Sequence, residues 1–135
     1  MAETLHVLDA SAILAWLKQE AGWEKVSTAM DARFVVSAAN HAEVVGKLVD
    51  EKVPREDIAL MLEEFVAELV PVDHTIAELA GHLRGPTRDR GLSLGDRLCL
   101  ATAMALAKDG PVTAMTADRG WSMLKIAGVQ VSFIR

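Results

Sequence analysis

A chain of 135 residues, 51% of them hydrophobic, can close one hydrophobic core and has the length of one ordinary domain. Its formal net charge of −5 argues against a protein that holds nucleic acid mainly through a broad basic surface. The single cysteine, Cys99, excludes an internal disulfide, and the longest nearly apolar run, 98–107, is shorter than the roughly 20 residues that cross a bilayer. No basic start followed by an apolar stretch opens the chain, so we expect a cytoplasmic protein with no secretory signal and no membrane partner.

The first half of the chain predicts strands that alternate with helices. Short apolar runs indicate strands, and apolar residues spaced three and four apart indicate helices. The predicted elements are a strand at 5–8, helices at 10–18 and about 23–30, a strand at 34–36, a helix at 40–51, and a helix that opens at Pro54. The last helix carries an apolar stripe formed by Ile58, Met61, Leu62, Phe65 and Leu69.

The second half continues this alternation. It predicts a strand at 69–72, a helix at 75–83, a strongly apolar helix at 93–108, a strand at 112–115, a short helix at 121–126 and a strand at 129–133. Pro71 lies inside the third strand and the fifth strand alternates apolar with polar residues, so both are expected at sheet edges. The whole pattern predicts one α/β domain over residues 1–135, with a parallel sheet covered by helices on both faces.

Four acids are expected at the carboxyl edge of that sheet, where such folds place their ligand sites: Asp9, Glu43, Asp96 and Asp118. Asp9 follows the first strand directly, and Asp118 follows the fourth strand by two residues. Glu43 and Asp96 are predicted in the first turns of helices that start at the same edge. Converging carboxylates repel one another unless a hard cation neutralises them, and all-oxygen ligands select Mg²⁺ or Mn²⁺.

The chemistry of such a site is hydrolysis of a phosphodiester, because a metal-bound water becomes a nucleophile near neutral pH. The four acids are therefore the candidate catalytic and metal-binding residues. Ser11 and Thr116 lie two residues from Asp9 and Asp118, and their hydroxyls could orient a carboxylate or a metal-bound water.

Three of the acids also have a purely structural interpretation. The segments 40–43 and 93–96 both match a capping box, in which an acid three residues after the cap binds the cap's backbone amide. Asp118 could be only a turn residue. Asp9 is harder to explain structurally, since a carboxylate that ends a buried strand needs a partner. The joint pattern favours the catalytic interpretation.

Four motifs resemble those of a PIN domain: Val7-Leu8-Asp9-Ala10-Ser11-Ala12-Ile13-Leu14, Ala42-Glu43-Val44-Val45, Ser93-Leu94-Gly95-Asp96-Arg97-Leu98, and Thr116-Ala117-Asp118-Arg119. In order and spacing they are most similar to the VapC-type toxins of bacterial toxin–antitoxin modules, and the likeness covers essentially the whole chain. One position departs from the pattern, because Gly120 stands where many relatives carry another acid. A second metal ion is therefore expected to be held weakly, or only together with RNA.

This resemblance implies a fold, an activity and partners. The fold is a three-layer α/β/α sandwich around a five-stranded parallel sheet in the order 3-2-1-4-5. The activity is Mg²⁺- or Mn²⁺-dependent cleavage of RNA by a homodimer, inhibited by a cognate antitoxin that binds across the active-site groove. Carried over by position, the metal-site roles fall on Asp9, Glu43, Asp96 and Asp118, with Ser11 and Thr116 as supporting polar groups.

Four arginines are candidate RNA contacts: Arg88, Arg90, Arg97 and Arg119. Arg88 and Arg90 precede the helix that carries Asp96, and they could bind RNA phosphates or belong to an ordinary solvated loop. Arg97 and Arg119 each adjoin a predicted ligand, and they could bind phosphates or only favour the ligand's negative charge by proximity.

Two other functions fit parts of the pattern. A phosphatase or phosphotransferase would use Asp9 as a covalent nucleophile, but such sites usually place a second aspartate where this chain has Ser11. A non-catalytic binding module would use the acids only as helix caps.

Overall fold

The computed structural model describes residues 3–65 and 67–135. One parallel sheet is formed by β1 (Leu5–Leu8), β2 (Phe34–Ser37), β3 (Glu68–Val70), β4 (Val112–Thr116) and β5 (Val129–Phe133). The strand order across the sheet is β3-β2-β1-β4-β5, which confirms the predicted order. β3 and β5 are the edge strands, as expected, and β1, β2 and β4 are central.

Helices cover both faces of the sheet and give the predicted three-layer α/β/α architecture. They are α1 (Ala10–Lys18), α2 (Trp23–Ala32), α3 (Ala38–Asp50), α4 (Arg55–Glu64), α5 (His74–His82), α6 (Arg84–Thr87) and α7 (Leu94–Leu106), with short 3₁₀ turns at Arg88–Arg90, Ala107–Asp109 and Arg119–Trp121. Within residues 3–65 and 67–135, none of the helices has the length and apolar character needed to span a bilayer.

Each face of the sheet has its own apolar core, because side chains alternate between the two faces along each strand. On one face Val7 and Ala114 pack with residues of α5 and α7, such as Leu100. On the other face Leu8 and Met115 pack with residues of α1 to α4. Helices therefore pack against both faces of the central strands, which explains why most residues of these strands are apolar.

Three predicted boundaries near the middle of the chain are wrong. α3 begins at Ala38 rather than at residue 40, because the hydroxyl of Ser37 accepts the Ala39 amide and caps the helix two residues earlier. The helix after Pro54 ends at Glu64, so Leu69 belongs to β3 and not to the helical stripe. β3 itself ends before Pro71, since proline lacks the amide that a strand needs.

The predicted helix at 121–126 is also wrong. A 3₁₀ turn at Arg119–Trp121 ends there, and Met123 adopts a left-handed backbone conformation with φ of 66° that interrupts any helix. Ile126 instead forms an isolated antiparallel bridge to Val129. Conversely, the short α6 lies where the sequence predicted only the end of the preceding helix, near Gly85-Pro86.

The junction between α1 and α2 depends on one glycine. Gly22 has a φ of 94°, and a Cβ at this position would overlap the backbone carbonyl of Ile134, just beyond β5. We expect Gly22→Ala to lower the free energy of unfolding by about 2 kcal/mol or more. The added Cβ would clash with the Ile134 carbonyl, and alanine is strained in a left-handed backbone conformation. Urea denaturation measures the change.

Gly46→Ala is the matched control for this prediction. Gly46 lies inside α3 with nothing within 4 Å of an added Cβ, so alanine should stabilise the chain by about 1 kcal/mol. Equal effects of the two substitutions would contradict the assignment of Gly22 as a packing constraint.

Candidate active site

Asp9 is a buried carboxylate at the carboxyl end of β1, only 3% exposed. Its side chain caps α1 by accepting the backbone amide of Ala12 at 2.8 Å, and it also accepts the hydroxyl of Ser11 at 2.7 Å. A short polar side chain is favoured at this position because it satisfies a free amide at the start of the helix. The strand end and the helix start together fix where this carboxylate points.

Two hydroxyls connect Asp9 with the end of β4. The Ser11 hydroxyl accepts the backbone amide of Ala117 at 2.9 Å, and its oxygen lies 3.4 Å from the hydroxyl oxygen of Thr116. Thr116 is fully buried, and its hydroxyl accepts the backbone amide of Asp118 at 2.9 Å. The two predicted supporting residues thus link the β1 and β4 ends in one hydrogen-bond network.

Asp118 is exposed and has a local structural role. Its carboxylate accepts the backbone amide of Gly120 at 2.8 Å and caps the following 3₁₀ turn. A Cβ on Gly120 would lie 3.0 Å from the Asp118 carboxylate and 3.3 Å from the carbonyl oxygen of Arg90. The glycine that departs from the family pattern therefore occupies a place with little room for a side chain.

Asp96 forms the capping box that was predicted as its structural interpretation. Its backbone amide donates to the Ser93 hydroxyl at 3.1 Å, and its carboxylate accepts the Ser93 amide at 2.9 Å. The side chain is half-buried, so capping uses part of its hydrogen-bonding capacity. A carboxylate has two oxygens and about four acceptor positions, which leaves room for a further ligand.

Glu43 is placed differently from the prediction. Because α3 begins at Ala38, Glu43 lies in its second turn and forms no capping box with Asn40. Instead the buried Asn40 side chain donates from Nδ2 to the Glu43 carboxylate at 2.7 Å and to the Gly95 carbonyl at 3.1 Å. The Glu43 carboxylate lies directly against Gly95, where a Cβ would overlap it. This contact brings Glu43 beside Asp96.

Asn40 and Gly95 are the residues of this site whose role the sequence reasoning missed. The capping-box pattern predicts only a helix-capping role for Asn40, although its spacing of three residues from Glu43 places both side chains on one helix face. The role of Gly95 depends on how α3 and α7 approach each other, which the sequence does not indicate.

The electrostatics show that three carboxylates share one region. Burial raises the pKa of Asp9 from 3.8 to about 6, hydrogen bonds from Thr116, Ala12 and Ser11 oppose the rise, and the charge of Asp96 adds to it. Burial also raises the pKa of the Cys99 thiol, and the charges of Asp9, Asp96 and Glu43 raise it further. Cys99 is fully buried.

The described side chains suit a hard cation by chemistry, but they do not form a closed metal site. Within the described ranges 3–65 and 67–135, no three His, Cys, Asp or Glu side chains are arranged to hold an ion. Asp9 and Asp96 bind helix amides, and Glu43 binds Asn40. The donors that border the region are carboxylate and hydroxyl oxygens, the types that Mg²⁺ and Mn²⁺ prefer. Asp9, Glu43 and Asp96 thus lie near one another without converging on one point. The backbone amide of Asp118 is linked to Asp9 through the hydroxyl of Thr116.

The four arginines differ in whether their guanidinium groups already bind other groups of the protein. Arg97 donates to the Ala80 carbonyl at 3.2 Å and ties α7 to α5, and Arg90 donates to the Ser122 carbonyl. Arg119 is exposed and stacks its guanidinium over the Phe133 ring, 4.5 Å from the ring centre. Arg88 is exposed. Arg88 and Arg119 are therefore better placed for an external ligand than Arg90 and Arg97.

Comparisons with known proteins agree with this architecture. The family model described as PIN domain matches residues 6–126. A VapBC complex from Rickettsia felis, bound to a DNA fragment from its promoter, is similar with a TM-score of 0.71 and 15% identity over 96% of this chain and 98% of that one. DNA-bound VapBC from Salmonella typhimurium gives a TM-score of 0.69 and 16% identity over 100% of both chains.

A member of the VapBC family of toxin–antitoxin systems from Mycobacterium tuberculosis gives a TM-score of 0.63 and 22% identity over 94% of this chain and 96% of that one. At these identities the likeness concerns the fold. No curated protein matches the sequence significantly.

The raised pKa of Asp9 predicts how stability depends on pH when divalent cations are absent. Between about pH 4 and pH 6 the folded chain keeps a proton on Asp9 that the unfolded chain has lost, so this residue makes stability fall as the pH rises. A pKa change from 3.8 to about 6 corresponds to at most about 3 kcal/mol. Asp9→Asn keeps the helix cap and removes the charge, so it should raise the free energy of unfolding at pH 7.

Asp73→Asn is the matched control, because Asp73 caps α5 by accepting the Ile76 amide at 2.8 Å but is exposed. Urea denaturation in EDTA across this pH range measures both variants. A pH profile of Asp9→Asn identical to that of the parent chain would contradict the prediction.

Proposed function

The chain belongs to the PIN domain family, and from that membership we propose that it is a metal-dependent endoribonuclease that hydrolyses RNA phosphodiester bonds. Residues 1–135 form one nuclease domain in this proposal. The similarity in fold to chains of VapBC complexes supports a role as the toxin of a toxin–antitoxin pair, inhibited by its cognate antitoxin. We further propose that it acts as a homodimer.

The buried carboxylate of Asp9 is the observation that carries this proposal. It lies at the strand end where parallel sheets bind their ligands, and burial raises its pKa to about 6. Among the described residues, no Lys or Arg charge contributes to the pKa shift of Asp9. An uncompensated buried carboxylate is costly to the fold, so a function that supplies a cation explains why it is present. The charges of Asp96 and Glu43 lie close enough to act on the same surroundings.

In the proposed site Asp9, Glu43, Asp96 and Asp118 would hold Mg²⁺ or Mn²⁺. When bound, the ion would neutralise these charges. It would also supply a water that loses a proton easily enough to act as a nucleophile on a phosphodiester near neutral pH.

The protein's own side chains position the carboxylates and the substrate. Ser11 and Thr116 hold the Asp9 carboxylate in place, and Asn40 holds that of Glu43. The exposed Arg88 and Arg119 would bind phosphates of the substrate, with Arg90 and Arg97 in supporting positions.

A non-catalytic binding module is the second candidate, because a specific observation favours it. Asp9, Asp96 and Asp118 each accept a backbone amide, as pure caps would. A phosphatase with Asp9 as its covalent nucleophile is less consistent with the geometry. Asp9 is only 3% exposed, and Ser11 donates a hydrogen bond to it from the position of the expected second aspartate.

Metal titration distinguishes the nuclease from the binding module. If several carboxylates share an ion, Mg²⁺ or Mn²⁺ should raise the melting temperature of the parent chain, because binding to the folded state stabilises it. A concentration one hundred times the dissociation constant would add about 2.7 kcal/mol. Asp9→Asn should lose most of this increase and Asp73→Asn should keep it. If the acids act only as independent helix caps, the metal should leave the melting temperatures of the parent chain, Asp9→Asn and Asp73→Asn unchanged.

Substitution of the acids tests catalysis directly. Asp9→Asn, Glu43→Gln and Asp96→Asn should each reduce RNA cleavage by about a hundredfold or more, since even residues that only support a metal ligand cost 10–100-fold. Each variant should remain folded, because the substitutions remove repulsion between carboxylates. Sequencing of RNA ends after brief expression, with Asp73→Asn as control, shows whether cleavage occurs and where. Retained cleavage in folded Asp9→Asn protein would refute the proposal.

A further inference from the structure

One face of the sheet changes from apolar to polar along its strands. Near the carboxyl ends, Leu8 and Met115 are buried under α1 to α4. Two residues earlier the same face carries His6 and Thr113, and these pair in register with each other and with Gln130 of β5. The polar side chains line an open depression with a volume of about 770 Å³. We call it the polar depression.

Two cations border the polar depression. The Lys25 ammonium of α2 donates to the Phe133 carbonyl at 2.8 Å, and an ammonium has three donors, so two remain for another ligand. The guanidinium carbon of Arg119 lies over the Phe133 ring, and the Arg119 side chain is exposed. Among the described residues, no carboxylate lines this depression. In a chain with a net charge of −5, such a surface is locally suited to an anion.

The remaining lining groups are mostly small hydrogen-bonding side chains. Thr113 and Ser132 present hydroxyls, and Gln130 presents an amide that is exposed at the sheet edge. The Nδ1 atom of His6 is buried without a partner among the described residues. Hydroxyls, amides and cations are the groups that contact phosphate and sugar oxygens in nucleic-acid complexes.

Two residues that line the polar depression are neighbours of the candidate active site in the chain or in the sheet. Arg119 directly follows Asp118, and Phe133 pairs in register with Thr116, whose hydroxyl belongs to the Asp9 network. The depression therefore begins close to the residues that follow β4 and extends to Lys25, which binds the Phe133 carbonyl.

We propose that the polar depression binds the phosphodiester backbone of a single-stranded RNA segment next to the cleavage site. This inference rests on the proposed nuclease function and adds a second contact region to it. Lys25 and Arg119 bind phosphates, and the polar side chains of the sheet bind sugar and phosphate oxygens. None of these groups reads a base edge, so the contact tolerates many sequences.

Salt dependence of RNA binding tests this proposal through Lys25. The probe is a fluorescent single-stranded RNA of about 12 nucleotides with mixed sequence, long enough to reach past the active site. Binding is measured by anisotropy over a range of KCl concentrations, in an Asp9→Asn background that prevents cleavage. Loss of one phosphate contact to a single strand should reduce the slope of log K against log salt by about 0.7. We expect this from Lys25→Gln, and we expect Lys25→Arg to keep the parent slope.

Lys108→Gln is the charge-matched control. Lys108 is exposed and precedes β4, whereas the candidate active site follows that strand, so its removal should leave the slope unchanged. Melting temperatures of all variants confirm folding, since Lys25→Gln also removes the bond to Phe133.

The outcomes separate this inference from the proposed function. If the chain with Asp9 intact cleaves RNA but Lys25→Gln and Lys108→Gln give the same slope, the inference is overturned and the nuclease proposal stands. If that chain neither cleaves nor binds RNA with Mg²⁺ or Mn²⁺ present, both fall. If Lys25→Gln weakens binding of polyglutamate or of duplex RNA as much as that of the single strand, the polar depression is a general anion surface and the inference is wrong.

Discussion

The structure depends on one carboxylate that is buried at the end of a central strand. Asp9 connects three features at once, because its backbone ends β1, its side chain starts α1, and the hydroxyls of Ser11 and Thr116 join it to β4. These hydrogen bonds favour the ionised form, yet burial outweighs them and raises the pKa to about 6. The fold therefore keeps an acid where its charge is only partly compensated, which is typical of a functional site.

The other acids show how one residue can serve both fold and function. Asp96 completes a capping box, and Asp118 caps a turn. Capping fixes the direction of each carboxylate, because its backbone partner belongs to a rigid element, and it leaves acceptor positions free. Structural and catalytic interpretations are therefore not exclusive for these residues. Exposed Asp73 has the same kind of cap without burial, which shows that capping alone does not require the environment found at Asp9.

Local sequence signals predicted most elements because the central strands and long helices have strong periodicity. The failures are instructive. The start of α3 was misplaced because Ser37 and Asn40 are both good cap residues, and burial of Asn40 against Gly95 decides between them. The helix expected at 121–126 has apolar residues at helical spacing, but Trp121 is buried in the core and Met123 adopts a left-handed conformation. Tertiary packing overrides propensity in both places.

The sequence by itself determined the sheet, its edge strands and the acids that lie at its carboxyl edge, because hydrophobic period and residue type are local properties. Only the tertiary structure decided that Glu43 is held by Asn40 and Gly95, that Arg97 binds a carbonyl of α5, and that Lys25 and Arg119 border the same depression. These relationships join residues far apart in the chain. They depend on the angles at which helices pack on the sheet, and no local pattern encodes those angles.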